Sequence, residues 1–164
     1  MTSRRAFTRA IVALALAAPA VVRAQATDAR VMPELRADAI VAGHRTVLEA
    51  GGGVEIPAGY YARIAVIAAA GADVLSGGGR ASGRLDVIGR FLFDPFRQNQ
   101  WALSAGAGVS VRADAGELVR PWLVGVLDLE GPLNGSGFAP AVQLGLGGGV
   151  RLGGAVRWGV RGVR

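Results

Sequence analysis

His44 is the only histidine among 164 residues, and there is no cysteine. A transition-metal centre needs clustered histidine, cysteine or carboxylate ligands, so this composition offers none of the ordinary type. Glu49 and Glu55 share a face of an extended segment. Six residues at the usual strand rise separate them by about 20 Å, too far to hold one ion. A histidine acting as base needs a nucleophile and an orienting acid beside it. His44 instead follows Gly43 in a tight turn, while Ser104 and Ser110 fall on the inward face of a later strand. Gly145-Leu146-Gly147-Gly148-Gly149 has the glycine content of a phosphate loop, but no helix pattern follows to supply a dipole, so it reads as a hairpin turn. The expectation is no catalytic residue, no metal and no cofactor. The chemistry that remains is charge pairing.

The elements that position those charges are strands. From Phe138 to Leu146, Phe138, Pro140, Val142, Leu144 and Leu146 alternate with small or polar residues. After three glycines the alternation resumes: Val150, Leu152, Val156 and Trp158 on one side, Arg151, Gly153, Ala155 and Arg157 on the other. Period two on both sides of a glycine turn is a β-hairpin. The same pattern runs through 45–56, 60–71, 84–94, 101–112 and 119–130, broken by Pro57-Ala58-Gly59, by Asp94 to Asn99 and by Ala113 to Gly116. Residues 73–82 read as the longest loop. The weakest element is 36–42. With it the count is eight strands and no helix, an all-β chain with up-and-down antiparallel pairing. Closing the sheet removes both edges, and eight strands make a barrel narrow enough for side chains to fill.

The N-terminus reads separately. Arg4, Arg5 and Arg9 precede an apolar run from Ala10 to Val22 and small-residue cleavage patterns around Ala24 and Ala26. That is a signal peptide over 1–26, and its Ser3 to Arg9 segment also fits twin-arginine export. The expected order is therefore signal 1–26, lead-in 27–35 and barrel 36–164. All twelve acids lie after the signal, against fourteen of the eighteen arginines. The remaining charge of +2 is no argument for nucleic acid.

Which face is outside decides the function. One face holds Leu, Val, Ile, Ala and Gly with aromatics. The other holds Gly, Ala and Ser with scattered charges, a poor water-facing surface and a good crowded lumen. On this assignment Glu49, Glu55, Asp86, Asp128 and Glu130 face Arg63, Arg90, Arg151 and Arg157 as a lumen ion-pair network, since unpaired buried charge is very costly. The oily face then meets lipid, where a closed barrel satisfies every backbone group. Tyr60, Trp101 and Phe138 begin strands, while Phe93 and Trp158 end them. With strands alternating in direction, all five reach one rim as an interface girdle.

In this pattern residues 36–161 resemble the small eight-stranded outer-membrane barrels of the outer-membrane protein A and X type. The resemblance implies outer-membrane lipid as surroundings, insertion by the barrel-assembly machinery, and a role in envelope integrity or adhesion. Two readings compete with it. One is a soluble periplasmic or secreted barrel holding an apolar ligand with its oily face inward. The other is a lipid-modifying enzyme of the same architecture, which would need His44 beside a serine on the outer surface.

Overall fold

A computed structural model describes residues 31–75 and 79–159. The strands are β1 Met32–Ala42, β2 Arg45–Pro57, β3 Ala62–Asp73, β4 Ala81–Leu92, β5 Ala102–Asp114, β6 Arg120–Glu130, β7 Phe138–Leu146 and β8 Val150–Trp158. Each pairs antiparallel with the next, and β1 pairs with β8, so the sheet is a closed up-and-down barrel of eight strands. The expected all-β architecture is the observed one. The lower rim, where β2, β4, β6 and β8 end, carries the connections 58–61, 93–101 and 131–137. The upper rim carries 43–44, 74–80, 115–119 and 147–149.

Two boundaries differ from the sequence reading. β1 begins at Met32, inside the expected lead-in, so residues 32–35 belong to the barrel. Met32, Glu34, Arg36 and Asp38 point inward and are buried, while Pro33, Leu35 and Ala37 point outward. Charges at alternate positions look like a solvated tail only when the inside of a strand is expected to be oily. Pro33 fits because it lies at the strand start, opposite Val54 and one position before the pairing with β8 begins at Glu34. The second difference is loop length. β3 continues through Asp73, whose N–H donates to the Arg80 carbonyl at 3.0 Å, so the expected longest loop shrinks to 74–80. The longest connection is 93–101. The expected signal 1–26 lies outside the described residues, as do 27–30, 76–78 and 160–164.

The pleat sorts the side chains as polarity requires, but inverted relative to a water-soluble barrel. No charged residue points outward from any of the eight strands. Leu144 is 50% exposed and Phe91 52%, whereas Arg151 is 1% exposed and Asp86 0%. The interior is not wholly ionic. Ala65 and Ile67 of β3, Ile88 of β4, and Val124 and Val126 of β6 form an apolar patch on one wall. Met32 and Ala139 pack with Leu133 near the lower end.

Inward-facing glycines let neighbouring strands approach. A Cβ on Gly71 would lie 1.8 Å from the Leu48 carbonyl oxygen, which is backbone and cannot step aside. Gly71→Ala should therefore destabilise the barrel at the upper end of about 1–3 kcal/mol, the usual cost of overpacking. Gly125 points outward with nothing within 4 Å of its Cβ position, so Gly125→Ala should be near neutral. Denaturant midpoints of the two variants against the parent give the comparison, and equal midpoints would contradict it.

Candidate functional site

The lumen is the site, and its charges fall into two groups joined in the middle. In the lower group Arg157 of β8 is the centre. Its Nε donates to Glu34 at 2.7 Å, Nη1 to Asp128 at 2.7 Å and Glu130 at 2.9 Å, and Nη2 to the second Asp128 oxygen at 2.7 Å. Glu55 lies 3.3 Å from Nε. Arg90 pairs with Glu55 and reaches Asp128 at 3.4 Å. Arg63 bridges Glu55 at 3.1 Å and Glu130 at 3.3 Å. In the upper group Arg84 pairs with Asp38, with Glu49 at 2.9 Å and with Asp86 at 3.2 Å. Arg151 donates to Asp86 at 2.8 Å, and Ser82 to Glu49 at 2.8 Å. Arg36 links the groups. It holds Asp38 at 2.7 Å, Glu34 at 3.2 Å and the Gln143 side-chain oxygen at 2.6 Å; the Gln143 amide then donates to Asp128 at 3.1 Å.

All nine residues expected in the lumen face it. Glu49, Asp86 and Arg151 sit in the upper group; Glu55, Arg63, Arg90, Asp128, Glu130 and Arg157 sit in the lower. Sequence reasoning missed Glu34, Arg36, Asp38, Asp73, Arg84 and Gln143. For β1 the signal was present as alternating charge at 34, 36 and 38. Arg97 had no periodic signal at all. It lies in the 93–101 connection with φ of 50°, pairs with Glu130 and donates to the Gly131 carbonyl at 2.6 Å, closing the lower mouth. Buried carboxylates number eight (Glu34, Asp38, Glu49, Glu55, Asp73, Asp86, Asp128, Glu130) against five buried arginines (36, 84, 90, 151, 157). Arg45, Arg63 and Arg97 pair with those acids from nearer the rims, Arg63 with two of them, which brings the balance to eight against eight. Neutrality of this kind is what makes so many buried ions tolerable.

The described aromatic residues other than Trp122 lie at the lower rim. Phe138 and Trp158 face each other across β7 and β8, their rings 5.2 Å apart. Phe93 follows β4 directly, Trp101 precedes β5 directly, and Tyr60 stands in the connection before β3. Tyr61, Phe91 and Phe96 extend the set, with Tyr61 stacked on Phe91 at 5.9 Å. Asp94 organises the same rim. Its carboxylate accepts N–H bonds from Asn99 at 2.9 Å and Gln98 at 3.0 Å, and these two bonds hold its pKa below the ordinary 3.8. A depressed folded value means the loop's stabilisation is complete above the unfolded pKa and lost as pH falls through the folded one. The Gln98 and Asn99 amide shifts should therefore titrate together with a midpoint below 3.8, and Asp94→Asn should abolish that transition. A midpoint at or above 3.8 would contradict the assignment.

No family model matches the chain, and no curated protein matches it. Among solved structures, the crystal structure of Neisserial surface protein A superposes with a TM-score of 0.60 and 11% identity, covering 78% of this chain and 94% of that one. In fold, the chain is similar to that protein. A de novo designed protein, TMB2.3, known from a solution NMR structure, matches with a TM-score of 0.46 and 11% identity over 83% of this chain and 99% of that one.

Within this closed barrel, the residues weighed for catalysis stay apart. His44 lies in the upper turn between β1 and β2, whereas Ser104 and Ser110 are buried inside β5. Gly147 to Gly149 form the expected β7–β8 turn, with Gly148 at φ +67°. The Gly147 N–H donates to the Gly149 carbonyl at 3.0 Å. Among the described residues, no three histidine, cysteine or acidic side chains are grouped so as to hold a metal ion.

Proposed function

We propose that this protein is an outer-membrane β-barrel with a structural role in envelope integrity, sealed along its axis by ion pairs and without catalysis. The observation that carries the reading is sidedness: an uncharged outer belt on every strand around a charged interior. In water such a belt would be a very large exposed apolar surface. In a bilayer it is the ordinary exterior of a spanning barrel, and the aromatic rim is its interfacial anchor. Residues 1–26 act as the export signal, outer-membrane lipid surrounds the belt, and the barrel-assembly machinery inserts the chain. The nine lumen residues from Glu49 to Arg157 serve as the seal; Tyr60, Phe93, Trp101, Phe138 and Trp158 serve as the girdle.

A soluble carrier for an apolar ligand would need the opposite sidedness, with an oily cavity where Arg157, Arg90 and Arg84 now stand. Fractionation separates the two. The mature chain should sediment with outer membranes and migrate differently on gels before and after heating. Release into the soluble fraction by osmotic shock would overturn the proposal.

A further inference from the structure

The upper mouth holds a basin of about 230 Å³, which touches the lumen charges only through Arg45. Ile40 and Val47 line it, with Arg45, Arg112, Arg120, Trp122 and two carboxylates, Asp114 and Glu117. Arg112 and Arg120 stand directly opposite each other on β5 and β6, and Arg84 is opposite Arg112 on the other side. Like charges abreast on adjacent strands repel unless something anionic lies between them. Arg84 has its three carboxylates. Arg112 gives only its Nε–H, to Asp114 at 3.0 Å, and Arg120 comes no nearer to Glu117 than 4.0 Å. The terminal amino groups of Arg112 thus make no hydrogen bond at the basin, and the Arg120 fork has only its long contact with Glu117. Arg45 is already committed to Asp73 at 3.0 Å, Glu117 at 3.1 Å and Asp114 at 3.5 Å. Trp122 lies two residues beyond Arg120 on the same face. One side of its indole is held by the Gly147–Gly149 turn, where a Cβ on Gly148 would come within 3.3 Å of the ring, and the residue remains 41% exposed.

We infer that this basin binds a phosphorylated sugar, with the phosphate across Arg112 and Arg120 and the sugar ring against Trp122. Paired guanidinium forks match phosphate oxygens, and an indole offers a flat apolar face to a sugar ring. The volume admits about one ring with its phosphate, below the size of ordinary drug-sized sites. Bound phosphate takes the place of the loose Glu117 contact on Arg120. The same chemistry occurs in a free sugar phosphate and in a phosphorylated sugar headgroup of a lipid, and the test separates them.

Calorimetric titration of the folded full chain in detergent micelles should show saturable binding of glucosamine 1-phosphate. Inorganic phosphate should bind more weakly, and glucosamine not at all. R112Q and R120Q should each weaken glucosamine 1-phosphate at least tenfold. W122L should weaken it while leaving inorganic phosphate unchanged. A micelle-solubilised phosphorylated glucosamine lipid that binds tighter than the free sugar phosphate assigns the headgroup; equal or weaker binding assigns the free form. No saturable response to any phosphate probe, or undiminished binding by both R112Q and R120Q with parental denaturant midpoints, overturns the inference. The basin's chemistry does not depend on what surrounds the outer belt, so failure here and failure of the fractionation test are separate results.

Discussion

Arg157→Met should destabilise the barrel by about 3–5 kcal/mol, the cost of removing one partner from a buried ionic group. Arg157 meets four carboxylates, Glu34, Glu55, Asp128 and Glu130, all within 3.3 Å. Methionine fills much of the volume and supplies no charge, so the four acids are left with Arg90, Arg63, Arg36 and Arg97. The denaturant midpoint of the micelle-bound protein, or the temperature at which its gel mobility changes, reads the loss. Asp128 takes two of the three donor nitrogens, so Arg157→Met with Asp128→Asn should recover part of what the single change loses. A single variant as stable as the parent, or a double variant no better than the single, would show that Arg157 is not the centre of the network.

The second large effect concerns the outer belt. Val142 lies midway along β7, outward-facing and 54% exposed, opposite Gly154. Val142→Arg should lower stability in lipid by about 2–4 kcal/mol, the depth-dependent cost of a cation at the bilayer midplane, whereas Phe138→Arg at the rim should lose about 0–1 kcal/mol from its charge. Unfolding measured in lipid vesicles gives both values. In a water-soluble barrel the order would reverse, because Val142→Arg would merely solvate an exposed position while Phe138→Arg would break the ring contact with Trp158. Equal effects, or a larger one at Phe138, would therefore remove lipid from the account.

The strands with oily outer faces were legible because their pattern is local. Phe138–Leu146 and Val150–Trp158 alternate without a break, and a glycine turn fixes their register. β1 was harder because the charge content of 34–38 resembles a polar lead-in. Its identity as a strand depends on Arg157 of the adjoining β8 and Gln143 of β7 receiving Glu34 and Arg36, which no local window contains. Arg97 illustrates a stricter limit. A loop residue with no periodicity enters the network only because the 93–101 connection folds under the barrel and brings its side chain to Glu130 and Gly131. The upper basin was also hidden. Arg112, Arg120 and Trp122 share a phase in the alternation, but their adjacency follows from the β5–β6 register, which places Arg112 opposite Arg120.

The last strand completes the pairing of charges carried by four earlier ones. Arg151 and Arg157 both belong to β8, yet their partners come from β1, β2, β4 and β6. A sheet lacking its final hairpin would leave Asp86 with Arg84 and Asp128 with Arg90 as their remaining arginine partners. Before the seam between β1 and β8 forms, these carboxylates are only partly neutralised, which is costly wherever they are buried. Closure of the seam between β1 and β8 and completion of the ion-pair network are therefore one event.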